Sequence, residues 1–218
     1  MVSSEPRILV SILNWRSPED TIACVRAVDN LLHPNTDIVV IDNASGDDSV
    51  KHIRKTFPSI HLIESDTNRG YAGGHQLAVD YALENDYDAL WILNPDLEMH
   101  PNALEGLVKA WQQKGKGVFG SISLVSSDDD TIVFAGAHEL ENDKEVSSYN
   151  PWKGRSLDST PEAQQIRKVS AIEGFSMLIP LEVIRQHGFM DHRYFMYGEE
   201  TIWCYDLRKK GVSVYVVP

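Results

Sequence analysis

The first half of the chain alternates short apolar runs with amphipathic stretches. Ile8 to Leu13 (ILVSIL), Ile38 to Ile41 (IVVI), Ile60 to Ile63, Ala89 to Leu93 (ALWIL) and Val118 to Leu124 have strand length. They show no clean alternation with polar residues, which marks strands buried on both faces. Between them, apolar residues return at helical spacing. Ile22, Val25 and Val28 form one such set, and Val50, Ile53 and Phe57 a second. Leu77, Ala78, Tyr81 and Ala82 form a third, and Leu104, Leu107, Val108 and Trp111 a fourth. Helix starts are marked too. Ser17 offers a cap, Pro18 needs no N–H at the first helical position, and Glu19 and Asp20 suit the positive dipole end. Asp47-Asp48 and Pro101 open two more. This order predicts an α/β fold with a mostly parallel sheet flanked by helices.

The pattern changes after about Val125. Ser126 to Asp130 reads as a polar turn, and Thr131 to Ala135 as a strand. Residues 139–167 carry charge, Ser and Pro without periodicity, so a long mobile excursion is expected there. Order returns at Val169 to Pro180. Helices are expected over Leu181–His187, stopped by Gly188, and Glu199–Lys210, closed by Gly211, before a last strand at Val212–Val217. The 218 residues fit a single domain, 1–218, with halves 1–125 and 126–218.

Composition narrows the function. Apolar residues at 42% and charged residues at 24% exclude wholesale disorder. Twenty Lys and Arg against 32 Asp and Glu give a net charge of −12. A nucleic-acid binder is therefore not expected, and an anionic membrane repels the chain on average. A phosphate-bearing substrate would need local attraction. Cys24 and Cys204 read as buried, reduced thiols, in keeping with a cytoplasmic setting. The N-terminus carries no signal-peptide pattern, and no apolar run approaches the roughly 18 residues of a membrane span.

Open α/β sheets bind ligands at the carboxyl ends of their strands. The residues just after each strand are therefore the first candidates: Asn14-Trp15, Asp42-Asn43-Ala44-Ser45 and Asn94-Pro95-Asp96. Asp96 suits a Mg²⁺ or Mn²⁺ ion that shares oxygens with a diphosphate, or else simply forms a turn with Pro95. Glu98 reads as exposed. Asp42 and Asn43 suit a base or ribose, or an Asx turn. In Asn68-Arg69-Gly70-Tyr71-Ala72-Gly73-Gly74-His75 the glycines form a turn that would let backbone approach a ligand and start a helix. His75 reads as a helix N-terminal residue. The segment departs from G-x-G-x-x-G and follows the third strand, which counts against a dinucleotide fingerprint. Glu199-Glu200 opens a helix behind Gly198 and several aromatics. Successive side chains there diverge, so one acid is expected to face a cleft and serve as general base.

Taken together, these segments resemble the inverting family 2 glycosyltransferases of GT-A fold, especially the rhamnosyltransferase-like branch. The resemblance is carried, in order, by Val10–Trp15, Val40–Ser49, Asn68–Gly74, Leu93–Glu98 and Phe195–Arg208. It implies a nucleotide-sugar-binding half over 1–125 and an acceptor and catalytic half over 126–218, with a short antiparallel acceptor-side part. It implies that Asp42 contacts the base, with Asn14 and Ser45 in the same pocket. Asn68 and Gly70 fall on the nucleotide side. Asn94 stands where the family has the first acid of D-x-D, and Asp96 keeps the metal-holding position. Glu200 is implied as the base and Glu199 as a neighbour that positions the acceptor. The implied donor is a UDP- or dTDP-sugar with Mg²⁺ or Mn²⁺, and the acceptor is a glycan or lipid-linked hydroxyl in polysaccharide biosynthesis. The setting would be cytoplasmic, including the inner face of the membrane as a peripheral protein. Departures at Ile202 and Asp206 keep a non-catalytic nucleotide-sugar-binding domain as an alternative. A sugar-nucleotide nucleotidyltransferase is another, although Asn14-Trp15-Arg16-Ser17 lacks the glycine loop it needs. A Rossmann oxidoreductase is a third. The family usually continues past Val217-Pro218, so a trimmed acceptor end is expected.

Overall fold

A computed structural model describes residues 5–31, 33–139 and 148–218. The expected alternation is present: β1 (Ile8–Asn14), α1 (Pro18–Asp29), β2 (Thr36–Asp42), α2 (Ser49–Thr56), β3 (His61–Glu64), α3 (Gly70–Glu84), β4 (Ala89–Leu93), α4 (Ala103–Lys114) and β5 (Gly117–Ser121). The run Val118–Leu124 is two strands, not one. Ile122 separates β5 from β6 (Ser123–Ser126), which pairs antiparallel with β7 (Asp129–Phe134) outside the main sheet. Short strands β8 (His138–Glu139), β9 (Ser148–Tyr149) and β10 (Arg167–Lys168) follow. The chain closes with β11 (Ser176–Pro180), α5 (Leu181–His187), α6 (Glu199–Lys209) and β12 (Ser213–Val217).

The eight-stranded sheet runs β10-β12-β5-β11-β4-β1-β2-β3. β11 is antiparallel to both neighbours, and β10 is antiparallel to β12. The direction of β11 follows from the path. β5 ends at the carboxyl edge, Ile122 and Phe175 both lie there, and β11 therefore enters the sheet from that edge. Every residue of β11 is buried, as expected of a central strand. Trp91 on β4 donates from Nε1 to Ser176 Oγ at 3.0 Å, and Ser121 Oγ lies 2.8 Å from the same hydroxyl. β4, β11 and β5 are thus joined through one buried polar group.

Strand alternation divides the core between the two faces. Leu9, Val39, Leu90 and Ile92 pack under α3, α5 and α6. Ile8, Val10, Trp91 and Leu93 pack under α1, α2 and α4. A small third core, Ile132, Ala135 and Ala163 with Trp152 and Leu157, sits beneath the hairpin. It holds much of the expected mobile excursion. Residues 148–167 form turns pinned to β7, where Asp130 accepts from the Asp158 N–H at 3.0 Å and from the Ser156 hydroxyl. Residues 140–147 of that excursion lie outside the described residues. Cys24 and Cys204 are buried free thiols, both pushed up to about 12 by burial. Among the described residues no helix is long and apolar enough to cross a membrane.

Candidate functional site

A cavity of about 610 Å³ opens at the carboxyl edge of the sheet. Its walls come from three places: the rim after β1, β2 and β3 (Trp15, Asn43, Asn68), the end of β4 (Asn94, Asp96), and the segments entering β11 and α6. Of the nine candidates, Asn68, Gly70, Asn94, Asp96, Glu199 and Glu200 line it. Asn14, Asp42 and Ser45 do not.

Those three form a closed network just beneath the rim. Asn14 Nδ2 donates to Asp42 Oδ1 at 2.7 Å and to Ser45 Oγ at 3.1 Å. Asp42 also accepts from the Ser45 hydroxyl at 2.6 Å and from the Ser45 N–H at 3.0 Å. Thr21 Oγ1 closes the set on Asn14 Oδ1 at 2.8 Å. All four residues are buried. The network shapes the chain after β1. Arg16 has a left-handed backbone, φ +57, held by its N–H to Ser45 Oγ and its Nε to the Ser45 carbonyl, each at 2.9 Å. Trp15, half-exposed beside it, stands in the cavity wall.

Asn43, read in the sequence as a base or ribose contact or part of an Asx turn, joins this rim to the next. Its Nδ2 donates to Asn68 Oδ1 and to the Gly70 carbonyl, each at 3.0 Å, and its Oδ1 accepts from the Arg69 N–H at 2.9 Å. The glycines start a helix as expected, α3 beginning at Gly70, which also lines the cavity. A Cβ on Gly74 would press into Leu13, and a Cβ on Gly70, at φ +70, would overlap the Phe195 carbonyl oxygen. They permit close approach of backbone to the protein's own chain. The Tyr71 N–H then donates to that carbonyl at 3.0 Å. His75 lies near the start of α3, as expected. It is fully buried with Nδ1 2.8 Å from Ser11 Oγ, and burial drives its pKa down to about 3.

At the end of β4, the Asn94 N–H donates to the Phe175 carbonyl at 2.9 Å, which fixes Asn94-Pro95-Asp96 against β11. Asp96 is exposed in the cavity wall, whereas Glu98 is exposed outside it. Among the described residues no group of three or more His, Cys, Asp or Glu stands close enough to hold a metal by itself.

The opposite wall is acidic. Glu173, Glu199 and Glu200 all line the cavity, so both members of the pair face it and a third acid joins them. Gly198, left-handed at φ +94, starts α6 so that its first turn points into the opening. Glu199 is 3% exposed, its Oε2 is buried with no hydrogen-bond partner among the described residues, and burial raises its carboxyl pKa. Burial in the wall, and then the charge of Glu200, raise Glu173. Tyr71 lies between, its hydroxyl on the Gly174 carbonyl, and burial followed by the charges of Glu200 and Glu199 holds its proton firmly. A second cavity of about 250 Å³ lies behind Glu199, which forms part of both walls.

The family model described as glycosyl transferase family 2 matches residues 8–175. The chain belongs to glycosyl transferase family 2. Curated members that it resembles include a low-salt glycan biosynthesis hexosyltransferase of Haloferax volcanii, 23% identical over 206 residues covering 94% of this chain and 62% of that protein. An N-acetylglucosaminyl-diphospho-decaprenol L-rhamnosyltransferase of Mycobacterium tuberculosis is 24% identical over 197 residues, covering 82% and 63%. The chain therefore spans about three-fifths of the length of these relatives. Among solved structures, GalNAc-T7 with UDP, GalNAc and Mn²⁺ superposes with a TM-score of 0.76 at 14% identity, covering 99% of this chain and 43% of that one. The fold is that of the GT-A glycosyltransferases, as the motifs of this family 2 chain imply.

Proposed function

We propose that this chain carries the donor-binding and catalytic centre of a metal-assisted, inverting glycosyltransferase. It would move a sugar from a UDP- or dTDP-sugar to a hydroxyl of a glycan or lipid-linked acceptor at the inner face of the membrane. One observation carries the reading: a single cavity brings Asp96 together with the Glu199–Glu200 pair. Asp96 fits a divalent ion. Its carboxylate has no hydrogen bond or ion pair within the described residues and is exposed in the cavity wall. With so few protein ligands, such an ion completes its shell with phosphate oxygens and water, as Mg²⁺ and Mn²⁺ commonly do. When bound, the ion neutralises charge on the departing diphosphate.

The chain's own residues do the rest. Asn43 and Asn68 define the nucleotide-side rim, with Trp15 as its apolar wall. Glu200, less buried than Glu199, accepts the acceptor hydroxyl's proton at its carboxylate as that oxygen attacks the anomeric carbon opposite the diphosphate. Glu199 orients the same hydroxyl. The net charge of −12 is then no obstacle, because a divalent ion held at Asp96 would supply the attraction for the diphosphate locally.

The test is nucleoside diphosphate release from a panel of UDP- and dTDP-sugars with Mn²⁺, with and without glycan acceptors. Glu200→Gln is expected to lower transfer by about 10²–10⁴-fold while nucleotide binding persists. Asp96→Ala is expected to abolish the metal dependence of turnover. Full transfer by Glu200→Gln would move the base elsewhere, and unchanged turnover by Asp96→Ala would remove the metal role.

A further inference from the structure

Tyr197 occupies an unusual position. It is 85% exposed, yet its backbone is left-handed at φ +72, a conformation glycine adopts freely and a bulky L-residue rarely does. The non-glycine residues described with positive φ are Arg16, Ala44, Asp86 and Tyr197, and only the last is aromatic. Strain of this kind gathers at ligand clamps, where the surrounding structure enforces it. Here the enforcement is visible. The Phe195 carbonyl is seated over Gly70 and receives the Tyr71 N–H, while Gly198 turns the chain into α6. Between these two fixed points the Tyr197 ring is held out at the cavity mouth, with Met196 beside it.

The chemistry of the mouth selects the ligand. Glu173, Glu199 and Glu200 make it unfavourable for a diphosphate or an anionic lipid surface. The same carboxylates accept hydrogen bonds from neutral hydroxyls, and the buried Glu199 Oε2 has no partner among the described residues. A flat apolar ring beside acceptors for hydroxyl groups matches a pyranose. One face of a pyranose presents C–H groups that pack on an aromatic ring, while its edges carry O–H donors. We propose that Tyr197 is the platform for the acceptor's sugar ring and a determinant of acceptor specificity. This rests on the glycosyl-transfer reading and names the acceptor side of the same site.

The experiment measures binding without catalysis. Ligand-observed NMR titrations use a panel of methyl pyranosides (gluco, galacto, manno and N-acetylgluco) against wild type, Tyr197→Phe, Tyr197→Ala and Tyr197→Gly. UDP, dTDP and neutral or anionic phospholipid vesicles are titrated in parallel arms. At least one pyranoside should bind wild type and Tyr197→Phe alike, through its C–H face. It should bind Tyr197→Ala and Tyr197→Gly at least about tenfold more weakly, with nucleotide affinity unchanged. Tyr197→Gly should keep or raise the thermal midpoint, because glycine relieves the backbone strain. That result separates loss of a platform from loss of fold. Equal pyranoside affinity in Tyr197→Ala, or no pyranoside binding to wild type while nucleotides bind, overturns the platform and leaves the transferase reading standing. Pyranoside binding that depends on Tyr197, with no nucleotide binding, upholds the platform and overturns the donor assignment. Vesicle binding that depends on Tyr197 in place of pyranoside binding makes the patch a membrane contact and overturns the proposal.

Discussion

The two rims of the cavity are built on opposite principles. On the side of β1 and β2, Asn14, Thr21, Asp42 and Ser45 satisfy one another completely, and Asn43 ties them to α3. On the side of α6, a buried carboxyl oxygen lacks a partner among the described residues, three acids share one wall, and an exposed tyrosine holds a strained backbone. The first rim is finished by the chain itself. The second has an open position for a hydrogen-bond donor among the described residues. Polar groups that complete each other fix a shape, whereas unpaired buried ones disfavour the empty state and favour a ligand that supplies the missing bonds. Under the proposed reading, the preformed rim is the donor shelf and the unsatisfied one the acceptor wall, an arrangement suited to two substrates, one on each side.

The largest effect should come from breaking the finished rim. Asp42→Ala removes the acceptor of three hydrogen bonds and leaves buried donors on Asn14 and Ser45 unpaired. The expected loss is about 3–5 kcal/mol, a fall in thermal midpoint on the order of 10 °C. Glu200→Gln, on the unfinished rim, should leave the midpoint nearly unchanged. If Asp42→Ala melts with wild type and loses only nucleotide affinity, Asp42 is a free base contact and the contrast between the rims collapses.

A smaller effect should come from the point where the rims touch. Gly70→Ala forces a Cβ into the Phe195 carbonyl at a left-handed position, for an expected loss of about 2–3 kcal/mol. Gly46→Ala is the control. It shares a left-handed φ of +67 but has no atom within 4 Å of the added Cβ, so about 1 kcal/mol is expected. Comparable melting of both variants in chemical denaturation would show that the 194–197 segment is not seated on Gly70.

This contrast also explains what was legible in the sequence. Buried parallel strands announce themselves as unbroken apolar runs, so β1, β2, β4 and the helices between them could be read directly. The rule that ligands sit just after a strand then led to Asn94 and Asp96. It failed for Glu173, which precedes β11, because that strand enters antiparallel and brings its first residues to the ligand edge. Nothing local in the run 169–180 announces that reversal, since strand direction depends on the edge from which the chain enters the sheet and not on the residues of the strand. Asp42 and Asn43 were both visible as a motif. Which of them turns inward to bind the chain and which edges the cavity depends on Ser45 and Asn68, contacts separated along the sequence. The glycines at 70, 73 and 74 suggested a close approach, because composition shows that something comes near but not what does.

The smallest expected effect has the opposite sign. Glu199 is buried, and its carboxyl pKa is raised by burial above the ordinary 4.5. A raised acid in the folded state means that folded protein holds its proton while unfolded protein has already lost it. Wild type therefore loses stability as pH rises from about 4.5 through the folded value, and is spared this below it. Glu199→Gln removes the charge but keeps the shape. It should melt with wild type near pH 4 and above wild type at pH 7–8, by about 1 kcal/mol or roughly 2–4 °C. Acceptor affinity should fall in the same variant. A gain in stability coupled to a loss of binding is what an unfinished rim predicts, because the unpaired oxygen disfavours the empty fold and serves the ligand. If Glu199→Gln instead lowers the midpoint at neutral pH, the carboxylate is already satisfied within the chain, and the acceptor wall is as finished as the donor shelf.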